Sequence, residues 1–304
     1  MTKPRVTLVT CRDYPQLQAD EAGLPDALAE RGMDPQIVCW DDPDVDWEAA
    51  NVCVVRSVRD YAGRRQSFVD WAHSVPKLLN PADVIEWATD KHYLADLAKV
   101  GMPVVPTTWL ESESKLTKHQ VHTRFPALGD FVVKPAVSSG GREMGRYTAN
   151  RGESRMKAIQ RAVSLLDAGR SVMVQRYLKQ VDTYGEISLV YFNGILSHAV
   201  QKSAMLSPAE ETDAQLQVEG VSSHEPSPQE WEWGEQARRA IHQHIYNRVG
   251  HDQLLLYCRV DLVQDGEGGC YIMEISPVDA NLFLGETPGA LEKFAEAIAT
   301  RVMW

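Results

Sequence analysis

The chain has 304 residues, 44% of them hydrophobic and 24% charged, with a formal net charge of −11. This is ordinary globular composition, long enough for two or three packed units. The acidic balance excludes a nucleic-acid or anionic membrane surface as the main partner, although local cations can still bind a polyanion. Five scattered cysteines with no C-x-x-C pair argue against zinc and disulfide frameworks and read as buried thiols of a cytoplasmic protein. MTKPRVTLVTCRDYP has too short an apolar core for a signal peptide, and no apolar run approaches the roughly 18 residues of a membrane span.

PRVTLVT, PQIVCW, NVCVVRS and VPKLLN read as strands, with helices at 21–31 and at RRQSFVDWAHS between them. This alternation predicts a parallel, doubly wound α/β sheet. The turn after the first strand, TCRDYPQL, lacks a G-x-G-x-x-G fingerprint, which disfavours a dinucleotide site. Arg56 and Ser57 end the third strand, where ligands gather in such sheets or where an arginine caps an edge. Next, Trp87, Leu94 and Leu97 recur at helical spacing, and Gly101 with Pro103 closes that helix. Lys91 stands beside Asp90 at the helix opening, where the dipole disfavours a cation. An anionic ligand, or pairing with Asp90, would resolve the conflict.

FVVKPAVSSGGREMG, residues 131–145, is a buried strand ending in Lys134, followed by a flexible turn. Backbone N–H groups of Ser138, Ser139, Gly140 and Gly141 can face an anion there; a surface hairpin with a solvated lysine is the plainer reading. Residues 153–168 follow as an amphipathic helix, then SVMVQRYL as a strand and EISLVYFNGILSHAVQKS as a hairpin turning at Asn193-Gly194. Residues 203–230 are polar and acidic without periodicity, as expected of a lid or substrate loop. QEWEWGEQARRAIHQHIYNRVG is a helix, LLLYCRVDLV and CYIMEISPV are strands joined through EGG, and LEKFAEAIATRV is a closing helix. His242 and His244 point to different sides of their helix, so the nine histidines read as structural, with His198 the one to test.

Arg259 and Asp261 are two apart on one strand and so share a face; Glu274 and Ser276 have the same spacing on the next. Two carboxylates among apolar residues fit Mg²⁺, or else an Arg–Asp–Glu salt bridge.

The order of these parts resembles the ATP-grasp ligases: a lysine after Asp90, the VVKP lysine, SSGG, VQRYL followed by GEIS, and RVD followed by MEIS. The resemblance implies an ATP-grasp fold, α+β in its C-terminal part, preceded by a doubly wound Rossmann-like domain. It divides the chain into an N-terminal domain (1–85), a lid subdomain with the phosphate loop (86–172) and a C-terminal subdomain with hinge and metal site (173–304). Lys91, Lys134 and the loop from Ser138, Ser139, Gly140 and Gly141 to Arg142 would hold the phosphates of ATP. Gln175, Arg176, Tyr177 and Leu178 would read the adenine edge, and Glu186 the ribose. Asp261 and Glu274 would bind Mg²⁺ or Mn²⁺, with Ser276 where relatives carry asparagine, and with Asp279 or Asn281 able to complete the shell.

Arg259 and Lys202 are assigned to the acyl centre; a solvated hairpin lysine is the alternative for Lys202. TLVTCRDYP, VVRSVRDY and MEISPVDANLFLG are similar to the cycloserine synthetase type within that superfamily. That implies an amino-acid-like substrate, O-ureido-D-serine, closed on itself by a monomer or homodimer. The missing acceptor-side R…GG segment agrees with an intramolecular attack. An intermolecular ligase making a dipeptide or amino-acid conjugate, and a non-catalytic nucleotide-binding module, stay open as alternatives.

Overall fold

Three β-sheets carry the structure, a computed structural model that describes residues 3–206, 220–250 and 253–303. In the first, RVTLVT forms β1 (Arg5–Thr10), buried at every residue but Arg5, as a central parallel strand must be. β2 (Asp34–Cys39) and β3 (Val52–Val55) flank it, and β4 (Leu78–Leu79) completes the parallel order β2-β1-β3-β4. α1 (Leu24–Glu30) and α2 (Arg65–Ser74) are the crossovers. Side-chain alternation feeds two cores: Val6, Leu8 and Val54 join Leu24 and Leu28 of α1, whereas Val9, Cys53 and Val55 join Phe68 and Trp71 of α2. The doubly wound sheet is as the sequence predicts.

The helix expected around Trp87, Leu94 and Leu97 is two helices, α3 (Ala82–Ala88) and α4 (Tyr93–Lys99). Thr89 Oγ1 donates back to the Ile85 carbonyl at 2.8 Å, and Asp90 accepts from the His92 N–H at 3.1 Å. Both bonds favour a turn over continued helix. The Lys91 N–H leaves the helical ladder for the Ala136 carbonyl at 2.9 Å. Lys91 therefore sits in a turn, tied to the strand that carries Lys134.

The second sheet is antiparallel in the order β5-β8-β6-β7. Its strands are β5 (Thr107–Leu110), β6 (Asp130–Pro135), β7 (Gly145–Thr148) and β8 (Val172–Arg176), with α5 (Lys118–Thr123) and α6 (Gly152–Asp167) packed on one face. Phe131 and Val133 of β6 share a core with Ala158, Ile159 and Leu165 of α6, so Val132 and Lys134 point the other way.

After α7 (Gln180–Tyr184), the third sheet runs β11-β10-β9-β12-β13. It is built from β9 (Glu186–Phe192), β10 (Ile195–Lys202), β11 (Val221–His224), β12 (Tyr257–Gln264) and β13 (Cys270–Ser276), with α8 (Pro228–Val249) after β11. Asn193 and Gly194 both have positive φ, 47° and 76°, the turn that an Asn-Gly hairpin predicts. Of the expected 203–230 loop, Val221–His224 pairs with β10 and α8 begins at Pro228; residues 207–219 lie outside the described ones. α9 (Ala290–Met303) ends on the first sheet, where Phe294 and Ile298 join Leu24, Leu28, Phe192 and Tyr257 in one core.

Candidate active site

Because Phe131 and Val133 take the core face of β6, Val132 and Lys134 line a cavity of about 580 Å³. The Lys134 ammonium makes no hydrogen bond or ion pair among the described residues. Burial and the neighbouring Lys91 push its pKa down to about 8, against the weaker pull of Glu274 and Glu186. Lys91 reaches the same place from its turn, donating to the Ser138 carbonyl at 3.0 Å and pairing with Glu274 at 3.1 Å.

The SSGG loop roofs this pair. The Ser138 carbonyl also accepts from Tyr61 at 3.4 Å, and the Ser139 hydroxyl donates to Asp279. Gly140 and Gly141 have φ of +64° and +69°, and a Cβ on Gly141 would stand 2.8 Å from the Met205 methyl. Only glycine suits that position. Ser138, Ser139, Gly140 and Gly141 line the cavity; Arg142 is bonded back to the Ser139 carbonyl at 3.4 Å and does not.

Gln175, Arg176, Tyr177, Leu178 and Glu186 line another stretch of wall. Gln175 donates to Thr107 at 2.8 Å, the Tyr177 N–H is taken by the Asp130 carbonyl at 2.9 Å, and Arg146 stacks 3.5 Å from the Tyr177 ring. Glu186 stands opposite Lys202 in the β9–β10 ladder and pairs with it at 2.9 Å.

On the third sheet, Asp261 faces Glu274 and Arg259 faces Ser276 across β12 and β13, the register implied by the matched spacings. Arg259 grips Asp261 through two N–H groups at 2.9 and 2.8 Å, while Ser188 donates to it at 2.7 Å and Lys202 at 3.2 Å. Asp261 is 1% exposed and lies beneath the lining. Burial alone would raise its pKa, but Arg259, Lys202 and Ser188 outweigh that and hold it at about 2. Glu274 opens to the cavity with Ser276, Asp279 and Asn281. Burial opposes its ionisation too, yet Lys91 and Arg259 bring its pKa below the usual carboxylate range.

Arg56, at the strand end, is not at the cavity: it is fully buried against Glu21 and donates to the Ala280 carbonyl at 2.8 Å. The residue that faces the cavity is Arg59, three positions on, together with Gln18 and Tyr61. Sequence periodicity does not mark Arg59, because it lies in a short 3₁₀ turn, Arg59–Gly63. His198 donates its Nε2–H to the Leu282 carbonyl at 2.7 Å, and burial lowers its pKa. It supports the 277–284 segment from behind and is absent from the lining.

The fold is that of the ATP-grasp ligases, and the chain is an enzyme of that class, which forms carbon–nitrogen bonds. D-alanyl-alanine synthetase A from Vibrio cholerae O1 biovar eltor superposes with a TM-score of 0.67 at 14% identity, over 100% of this chain and 98% of that one. The crystal structure of D-cycloserine synthetase DcsG superposes with a TM-score of 0.84 at 28% identity, over 98% of this chain and 99% of that one. In sequence, residues 6–80 match the profile of the D-cycloserine synthetase DcsG N-terminal domain. Cycloserine biosynthesis protein DcsG from Streptomyces lavendulae is 30% identical over 302 residues, 98% of each chain. The chain belongs to the DcsG family of ATP-grasp ligases.

Proposed function

We propose that the chain closes O-ureido-D-serine to D-cycloserine, converting ATP to ADP and phosphate and releasing the carbamoyl group as carbon dioxide and ammonia. The observation that carries this is the placement of Lys91 and Lys134 beneath the SSGG loop, in one cavity with Glu274 and Arg259. Its volume, about 580 Å³, is in the range of small-molecule and cofactor sites. Near-complete alignment with a cycloserine biosynthesis protein supports the substrate.

In this reading Lys91, Lys134 and the loop from Ser138 to Gly141 hold phosphates, Gln175 to Leu178 hold the base, and Glu186 holds the ribose; Arg142, outside the lining, is not among the phosphate contacts. Glu274 and Ser276, with Asp261 facing Glu274, form an all-oxygen donor set that fits Mg²⁺ or Mn²⁺. When bound, that ion supplies positive charge to the phosphates. Arg259 and Lys202 act at the acyl centre once the substrate carboxylate has taken the phosphoryl group. The nitrogen bonded to oxygen in the same molecule then attacks the acyl carbon and phosphate leaves as the ring closes; water cleaves the bond from that nitrogen to the carbamoyl carbon, giving carbamic acid, which breaks down to carbon dioxide and ammonia. Holding both ends of one molecule gives this attack a high effective molarity. The units 1–85, 86–172 and 173–304 correspond to N-terminal domain, lid and C-terminal subdomain. Buried free thiols at Cys11, Cys53, Cys258 and Cys270 accord with a cytoplasmic setting.

Mass spectrometry of the product from ATP, Mg²⁺ and O-ureido-D-serine tests the reading. A mass equal to cycloserine is expected. A dipeptide or conjugate formed only when a second amino acid is added would replace it with an intermolecular ligase.

A further inference from the structure

Two arginines from different parts of the chain, Arg59 after β3 and Arg259 on β12, line the cavity together with the SSGG loop. They differ in what already neutralises them. Arg259 is clamped to Asp261 by two hydrogen bonds, at 2.9 and 2.8 Å. Arg59 is 9% exposed and makes no ion pair among the described residues. Its protein contacts are a hydrogen bond from Nη2 to the neutral Gln18 amide at 2.7 Å and a ring contact with Tyr14 at 5.7 Å. Its Nε is buried with no acceptor. A buried guanidinium in that state costs free energy unless an anion completes it.

Position says which anion. A Cβ placed on Gly140 would stand 3.4 Å from Arg59 Nη1, so the guanidinium lies directly against the phosphate loop. The cavity lining also carries Asp20, Glu286 and Asn281. Asp279 feels the charge of Arg59 but is hydrogen-bonded to Val58 and Ser139 instead, so a ligand here meets a buried cation with no carboxylate bonded to it, beside the phosphate loop. That is the pattern for an α-amino acid, whose carboxylate needs the cation and whose ammonium needs an acid.

We propose that Arg59 binds the carboxylate of the amino-acid substrate and presents it across Gly140 to the phosphoryl donor. This rests on the ligase reading above, and it adds a substrate contact supplied by the N-terminal sheet. A planar guanidinium can hold both carboxylate oxygens, then one acyl and one phosphoryl oxygen after transfer. Gln18 orients Arg59 through a neutral amide, and Asp279 makes no hydrogen bond to it, which leaves the guanidinium open to a ligand carboxylate.

Calorimetry on the Mg·ADP-loaded protein tests the assignment without needing turnover. O-ureido-D-serine and its methyl ester are titrated into wild type, Arg59→Met, Arg59→Lys and Gln18→Ala. Wild type is expected to bind the acid at least tenfold more tightly than the ester. Arg59→Met should erase that preference, Arg59→Lys should keep part of it, and ADP affinity should stay within twofold in all variants. A wild type that binds acid and ester equally, or an Arg59→Met variant that still prefers the acid, overturns the assignment. A Gln18→Ala variant should weaken the preference without erasing it, since it loosens the guanidinium but leaves its charge in place. Binding with the expected preference but no ring closure would overturn the cycloserine reading alone; binding of neither ligand would overturn both.

Discussion

Lys91 Nζ lies 3.1 Å from a Glu274 carboxylate oxygen and 3.0 Å from the Ser138 carbonyl, so one ammonium joins β13 to the phosphate loop. The contact explains why a lysine stands in the turn before α4 despite the helix dipole. Its counter-charge is not the adjacent Asp90, which pairs with His92 at 2.6 Å, but a carboxylate far along the chain.

Glu274→Gln removes that counter-charge together with the carboxylate open to the cavity. Turnover is expected to fall by about two to three powers of ten, as losses of groups that stabilise developing charge do. The wall from Gln175 to Leu178 is untouched, so nucleotide affinity should weaken by less. Phosphate release across a Mg²⁺ titration, beside nucleotide titration calorimetry, checks both halves. Wild-type metal dependence in the variant would move the metal elsewhere.

Lys134 gives a pH signature. Its folded pKa, about 8, lies below the ordinary 10.5 because of burial and Lys91. Between those values the unfolded chain holds the proton and the folded chain does not, so this group's contribution to stability rises with pH across that window. Below it the folded protein carries the full penalty. Nucleotide phosphates should restore the proton. At pH 8 binding of ADP is expected to take up a fraction of a proton, seen as a binding enthalpy that varies with buffer ionisation heat. Lys134→Met should abolish that variation and cut turnover at least a hundredfold. An unchanged buffer dependence would remove Lys134 from the phosphates.

Much of this site is legible from strand spacing. FVVK ends in a lysine whose face follows from the two apolar residues that alternate with Val132, and R-x-D opposite E-x-S follows from a period of two. Arg59 is not legible, because a 3₁₀ turn imposes no repeat and the strand end draws attention to Arg56 instead. The break between α3 and α4 is equally hidden: it depends on the Lys91 N–H meeting the Ala136 carbonyl, a tertiary contact. GRYT, VSSH and QVDTY, the sequences of β7, β11 and α7, are too short and polar to carry a periodic signal.

The Arg56–Glu21 pair should behave as a structural element. Their side chains are 0% and 2% exposed, and Arg56 also holds the Ala280 carbonyl. Glu21→Gln leaves a buried guanidinium without its counter-ion and is expected to destabilise the fold by about 3–5 kcal/mol. Urea unfolding measures it. A loss below about 1 kcal/mol would show that the pair contributes nothing beyond packing.

Asp279 trades stability for the position of the phosphate loop. It accepts from the Val58 N–H at 2.9 Å and from the Ser139 hydroxyl, and has a left-handed φ of 51°. Burial raises its pKa to about 6, against the opposing pull of Arg59, Ser139, Val58 and Arg56. Between the ordinary 3.8 and about 6 the folded state holds a proton that the unfolded state has lost. Its contribution to stability therefore falls as pH rises through that window, and at neutral pH the folded chain bears the full penalty of a buried charge. Asp279→Asn keeps an acceptor for Val58 and removes the charge. At pH 7 the variant should be more stable than wild type by about 1–3 kcal/mol, at about 1.4 kcal/mol per pKa unit. The gain should vanish near pH 4. Ser139 would then face a side chain that can donate as well as accept, so the loop tether slackens and the KM for ATP is expected to rise several-fold. Urea unfolding at both pH values, read beside ATP saturation curves, decides the matter: a variant no more stable than wild type at pH 7 would mean that Asp279 is ionised at no cost to the fold.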